Sequence, residues 1–233
     1  MPRPLVIAHR GASANRPENT LAAYALAVAQ RADMIEIDLH TTRDAYIVIR
    51  HDETLAEMGP IGQASLAELR QVDVGQGERL PTLPEVLDAF GKQIPFNLEM
   101  KQSRQGRYAG MEQAALRCVE ARGLLERTLF SSFFDPVLRT LRDLSPAARV
   151  ALLISPRFPQ GWADRARSLA AEALHPEASL VDAELVTAAH GEGLRVHPYT
   201  VDDSAEMERL LDLGVDGLFT NRPDRLRGII DRR

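Results

Sequence analysis

Strand-like apolar runs alternate with amphipathic helical segments along almost the whole chain, and this alternation limits the architecture more than any other feature. Core strands are expected to start near Leu5, Met34, Pro95, Thr128, Arg149, Glu172, Arg195 and Asp216. A strand–helix unit takes roughly 20 to 30 residues, and the starts keep to that spacing everywhere except between Met34 and Pro95. Eight such units in 233 residues suit an α/β chain closed into a TIM (β/α)8 barrel. A doubly wound open sheet is the alternative, because strand order is not written in a single sequence. Residues 1–233 suffice for one domain with a sizeable core.

The long interval contains an extra strand, Tyr46–Arg50, reached from the second strand by the short polar link Thr41-Thr42-Arg43-Asp44-Ala45. So short a link suits a hairpin and cannot hold a parallel crossover. Residues 53–80 then form an insertion expected to lie over the C-terminal mouth, where sites of this fold are built. Its apolar residues Leu55, Met58, Ile61, Leu66 and Leu69 are separated by polar ones.

Helix signals are local. Leu21, Tyr24, Ala25 and Val28 follow the i, i+3, i+4, i+7 spacing. Asn19 or Thr20 reads as the preceding N-cap, Thr82 with Glu85 as a capping box with Gly91 beyond the end, and Asp135-Pro136 as N-cap followed by N1. Met207, Leu210 and Leu211 form a stripe that stops at Gly214.

The net charge of −5, with both signs mixed along the chain, argues against a broad nucleic-acid footprint. No apolar run approaches the ~20 residues of a membrane span, and no signal-peptide pattern opens the sequence, so stable membrane insertion is not expected. The one cysteine, Cys118, reads as a small core residue and permits no internal disulfide. A reducing, cytoplasmic location is the simplest expectation.

Chemistry gathers at the strand ends. Glu36 and Asp38 lie two apart in Met34-Ile35-Glu36-Ile37-Asp38-Leu39, and Glu99 and Lys101 lie two apart in Phe96-Asn97-Leu98-Glu99-Met100-Lys101. Residues i and i+2 of a strand share a face, so three carboxylates should converge. Carboxylates that close need a cation. All-oxygen donors without a nearby Cys select a hard ion, Mg²⁺ or Ca²⁺. His9 and His51 each follow a strand at the same expected mouth and can exchange a proton near neutrality. His40 shares the face of Glu36 and Asp38 and is read as a supporting residue. His175, His190 and His197 are read as packing or surface residues. Arg10 can fork onto phosphate oxygens and Lys101 offers a point charge, although both can also neutralise the acids. Glu18 can brace Arg10, and Gly11 would let the backbone approach an anion.

Taken together, these motifs resemble the glycerophosphodiester phosphodiesterase family. The resemblance rests on His9-Arg10-Gly11, Pro17-Glu18-Asn19-Thr20, Glu36-Ile37-Asp38, His51-Asp52 and Asn97-Leu98-Glu99-Met100-Lys101. It continues through Pro81-Thr82-Leu83, Ser131-Ser132-Phe133, Thr200-Val201 and Gly214-Val215-Asp216-Gly217 to Asn221-Arg222-Pro223. It implies a TIM barrel that hydrolyses glycerophosphodiesters to glycerol 3-phosphate and an alcohol. It further implies one divalent cation on Glu36, Asp38 and Glu99, with His9 and His51 as the acid–base pair. A small-molecule phosphodiester is the expected partner, bound by Arg10, Lys101 and Tyr199. The short insertion looks like the compact bacterial kind. Three positions depart from the pattern: Tyr199 stands where Trp is usual before Thr-Val, Asp202 where Asn is common after it, and Ala45 where a hairpin Gly is usual. A lysophospholipase D-like activity, or an idle phosphodiester- or metal-binding protein, are the alternatives.

Overall fold

The computed structural model describes residues 3–55, 58–157 and 159–233. Eight parallel strands form the barrel: β1 (Leu5–His9), β2 (Met34–Thr41), β4 (Phe96–Met100), β5 (Thr128–Ser132), β6 (Arg149–Ile154), β7 (Ala173–Pro176), β8 (Arg195–Val196) and β9 (Gly217–Thr220). A ninth strand, β3 (Ile47–Ile49), pairs antiparallel with β2. Ala45, at φ 65°, takes the left-handed turn position between them. The principal helices that follow the strands are α1 (Leu21–Ala29), α2 (Leu66–Leu69, in the insertion), α3 (Leu83–Phe90), α4 (Met111–Glu120), α5 (Asp135–Leu144), α6 (Trp162–Leu169), α7 (Ala183–Gly191), α8 (Ser204–Asp212) and α9 (Pro223–Ile230).

Neighbours run β1–β2–β4–β5–β6–β7–β8 on one side and β1–β9 on the other. The remaining seam closes through single backbone bonds. Asp216 N–H donates to the Val196 carbonyl, Phe219 N–H to Pro198 and Val201 N–H to Phe219. Pro198 has no N–H to offer, which keeps β8 to two residues and the ladder incomplete there. The ring is therefore a TIM barrel, and the doubly wound alternative is excluded.

Alternation along the strands creates two cores. Val6, Ala8, Ile35, Ile37, Leu39, Leu98, Phe130, Val150, Leu152, Leu174, Val196 and Leu218 turn outward and pack under the helices. Phe130 is fully buried, and truncating such a residue to Ala costs about 3–5 kcal/mol. The lumen is filled by Ile7, Met34 and Phe219 on one side and by Leu129, Ala151 and Ala173 on the other. The polar residues of the same faces lie above them, toward the C-terminal ends of the strands.

Two local readings change. α1 buries Ala23, Tyr24 and Ala27 and leaves Leu21 and Ala25 exposed. A helix apolar all round gives the spacing rule no contrast to read. The N-cap of α5 is Phe134, with Asp135 and Pro136 inside the first turn. Thr20 caps α1 and Thr82 and Glu85 form the capping box of α3. Cys118 is half-buried, with the Arg122 guanidinium 3.3 Å from its sulfur. No helix among the described residues is long and apolar enough to cross a membrane.

Candidate active site

Register brings the chemistry together. His9 is level with Glu36, Glu36 with Asn97, Asp38 with Glu99, and Glu99 with Ser131. Antiparallel β3 returns the chain from the rim, and Arg50 N–H donates to the Asp38 carbonyl at 3.0 Å. The next residue, His51, is thus delivered beside the same acids. A cavity of about 210 Å³ results. It is lined by His9, Arg10, Glu36, His51, Asn97, Glu99, Lys101, Ser131, Phe133, Tyr199 and Thr200, with Leu153 and Phe219.

Glu36, Asp38 and Glu99 each offer an oxygen within 4.8 Å of the others. Their surroundings differ. Asp38 accepts from Asn19 Nδ2 at 2.8 Å and pairs with Lys101 Nζ at 2.9 Å and Arg10 Nε at 3.3 Å. Burial pushes the Asp38 carboxyl up, but Lys101 and Arg10 outweigh burial and hold it well below the ordinary range. Glu36 accepts Arg10 N–H on Oε2 at 2.9 Å, while its Oε1 is buried without a partner. Burial first, then the Asp38 and Glu99 charges, push the Glu36 carboxyl well above the ordinary range. Glu99 pairs with Lys101 and is also raised, burial prevailing over that partner. A buried carboxylate oxygen with no donor, flanked by two further carboxylates, is what a hard divalent cation satisfies. The set fits such an ion.

Both expected phosphate-binding cations are engaged with acids. Arg10 also pairs with Glu18 at 2.8 Å, so Glu18 braces it as expected. Gly11 has a packing reason for being glycine. A Cβ there would lie 2.8 Å from Ala23 of α1, at φ 83°, so packing against the helix by itself requires glycine here. Tyr199 contributes its ring to the cavity, edge-on to Phe133 at 6.1 Å. Its hydroxyl donates to the Ile154 carbonyl at 2.9 Å, so its proton is already engaged.

His9 is half-buried beside Arg10, and its desolvation first, then that positive charge, lowers its pKa to about 4. Its Nδ1 lies 2.8 Å from Asn221 Oδ1. His51 is about a third exposed, with Nδ1 2.9 Å from Asp52 Oδ1. His40 is buried. Its Nδ1 meets Tyr108 Oη at 2.8 Å and its Nε2 lies 3.2 Å from the His51 carbonyl, so it supports the histidine loop. His175 and His197 form a buried pair at 3.2 Å inside the barrel, and His190 meets Asp216 at 2.8 Å.

The insertion holds fewer of the site's walls than expected. Leu55, Ile61, Ala64, Leu69 and Leu80 make a small core of their own with Val48 of β3. The insertion touches the β1–α1 loop through Gly75 and Pro17, and Glu53 accepts Arg104 N–H at 3.0 Å. None of its described residues lines the cavity. Asn97, Ser131, Phe133 and Thr200 do, and sequence reasoning assigned them no role. Asn97 could have been found, since it is two residues before Glu99 and so on the same face.

Residues 9–225 match the model of the glycerophosphoryl diester phosphodiesterase family. A glycerophosphodiester phosphodiesterase of Caldanaerobacter subterraneus subsp. tengcongensis is 35% identical over 97% of both chains. One of Bacillus subtilis is 33% identical over 95% of this chain and 85% of its own. Among solved structures, an Oleispira antarctica phosphodiesterase in complex with the product sn-glycerol-3-phosphate superposes with a TM-score of 0.86. It is 32% identical and covers 98% of this chain and 97% of its own.

Proposed function

The chain belongs to the glycerophosphoryl diester phosphodiesterase family, and we propose that it hydrolyses water-soluble glycerophosphodiesters to glycerol 3-phosphate and an alcohol with the help of one divalent cation. It is an enzyme, a phosphoric diester hydrolase. The substrate assignment draws on the relatives and on a cavity of about 210 Å³, small and partly polar. The partnerless Oε1 of Glu36 beside Asp38 and Glu99 is the observation that carries the metal reading. Glu36, Asp38 and Glu99 would hold Mg²⁺ or Ca²⁺, and the bound ion would supply positive charge to the non-bridging phosphate oxygens.

The protein's own groups do the rest. Arg10 and Lys101 orient the phosphate, exchanging some of their carboxylate contacts for phosphate oxygens. Of His9 and His51, one removes a proton from the nucleophile and the other returns one to the departing alkoxide. Tyr199 and Phe133 wall the organic portion. The single cysteine and the absence of disulfides fit a cytoplasmic enzyme.

One observation favours a second reading. Phe133, Phe134, Pro136, Ser155 and Arg157 line an open, mainly apolar groove of about 660 Å³ that shares Phe133 with the cavity. An acyl chain lying there would make the enzyme lysophospholipase D-like. The test is turnover of glycerophosphocholine, with and without chelator, beside lysophosphatidylcholine. Metal-dependent release of glycerol 3-phosphate from the first is expected, and inertness toward it would overturn the assignment.

A further inference from the structure

We infer that Asp202 is a positioning residue that fixes the orientation of the Asn221 amide, and through it the tautomer of His9. The inference deepens the acid–base reading of His9 and rests on it only for its kinetic consequence.

Asp202 follows the last seam residue of the barrel, and Asn221 follows β9. The Asp202 carboxylate accepts Thr220 Oγ1–H at 2.9 Å and Asn221 N–H at 2.8 Å on Oδ1, and Asn221 Nδ2–H at 2.6 Å on Oδ2. The other end of the same amide, Oδ1, faces His9 Nδ1 at 2.8 Å and Ser13 Oγ at 2.7 Å. An amide can present either end to a neighbour, and the surrounding bonds decide which.

Ser13 and His9 do not decide it. Ser13 Oγ also lies 2.7 Å from the His9 carbonyl, so it can donate there and accept an amide proton from a turned Asn221. His9 Nδ1 can donate or accept according to tautomer. Only Asp202 discriminates. A carboxylate has no proton to give, so a turned Asn221 would set a carbonyl oxygen against a carboxylate oxygen at 2.6 Å. Asn221 must therefore show its oxygen to His9, and neutral His9 must carry its proton on Nδ1. Its Nε2, the nitrogen left for the cavity, is then the atom through which His9 exchanges a proton with a reactant, in whichever of the two roles it plays. Neither Asp202 nor Asn221 lines the cavity, so the pair acts through His9 alone.

Asp202→Asn tests this with almost no change of shape. The variant keeps an oxygen for Thr220 and the Asn221 backbone but can offer an N–H to Asn221 Oδ1, which frees the amide to turn. Nitrogen-15 spectra of histidine-labelled protein, with His9 identified by its absence in His9→Gln, report the tautomer without any substrate. The parent should show Nδ1–H, and Asp202→Asn should show a mixture or Nε2–H. The kcat should fall by about 10- to 100-fold, the usual scale for a lost supporting bond, with KM nearly unchanged. Asn221→Ala should lose a similar factor, and the double variant should be no worse than Asn221→Ala, because both act along one path. An unchanged His9 tautomer in Asp202→Asn would overturn the inference. So would a switched tautomer with unaltered kcat, or losses that multiply in the double variant. Thermal melts of all three establish that they are folded. A failure of the acid–base reading would appear instead as an active His9→Gln.

Discussion

Glu36 and Asp38 stand two residues apart on one face of β2 and live in opposite electrostatic surroundings. Asp38 is met by Asn19, Lys101 and Arg10, whereas Glu36 keeps one buried oxygen with no partner. Chelator should therefore abolish turnover, and Mg²⁺ or Ca²⁺ should restore it. Glu36→Gln removes a buried carboxyl that is costly to ionise without a cation. In metal-free protein it should be neutral or stabilising, and a gain of about 1 kcal/mol would raise Tm by about 2–4 °C in a chain of this length. The same variant should lose the upward Tm shift that added metal gives the parent. Full activity in metal-stripped protein would sink the metal reading.

His9→Ala and His51→Ala should each lower turnover of an alkyl phosphodiester by about 10²-fold or more, the scale for a positioned acid or base. An aryl ester with a good leaving group needs little protonation of its oxygen. It should rescue only one of the two variants, and that variant lacks the acid. Near-normal turnover by either variant on the alkyl substrate would remove that residue from the mechanism.

The His175–His197 pair should make the fold acid-sensitive. Burial, then the neighbouring His197, lowers His175 well below the ordinary 6.5, and burial lowers His197 to about 4. Below pH 6.5 the unfolded chain takes up protons that the folded chain refuses until about pH 4. The unfolded state then binds more protons, so stability is full above 6.5 and falls as pH drops toward 4. For His197 alone this is of order 3 kcal/mol. Denaturant unfolding between pH 7 and 4.5 should show the decline, and His175→Gln should flatten it. Equal slopes in parent and variant would assign the acid sensitivity elsewhere.

Much of this was legible in the sequence because it is local. Strand starts fall within a residue of where the apolar runs place them, and the pairs Glu36/Asp38 and Glu99/Lys101 follow from strand alternation alone. What was hidden depends on contacts between distant parts of the chain. His9 and Asn221 are 212 positions apart, and nothing near Asp202 announces that its carboxylate orients an amide. The closing seam rests on single backbone bonds around Pro198, which leave no pattern. The packing reason for Gly11 was hidden because its neighbour, Ala23, is known only once α1 is packed. The engagement of the Tyr199 hydroxyl proton was hidden because its acceptor is the carbonyl of Ile154, on another strand.

Substrate choice follows from where the apolar surface lies. The insertion's Leu55, Ile61, Leu69 and Leu80 are buried in their own small core, so among the described residues that segment keeps most of its apolar surface for itself. The groove beside Phe133 is apolar but wide open, and Phe134 at its edge is exposed. Burying apolar surface there is worth roughly 25 cal/mol per Å², and a flexible chain loses rotamer freedom when it is laid down. The polar cavity, with Arg10, Lys101 and the acids, is less open than the groove and on the proposed reading takes the phosphate of either substrate. Deacylated glycerophosphodiesters should therefore exceed lysophospholipids in kcat/KM when both are held below any micelle-forming concentration. Phe134→Ala should leave glycerophosphocholine turnover within about two-fold, since surface changes away from a site are usually small, and should reduce any residual activity on the acylated substrate. A clear preference of the parent for the lysophospholipid, lost in Phe134→Ala, would reverse the ranking and make the Phe133–Phe134 groove the acyl site.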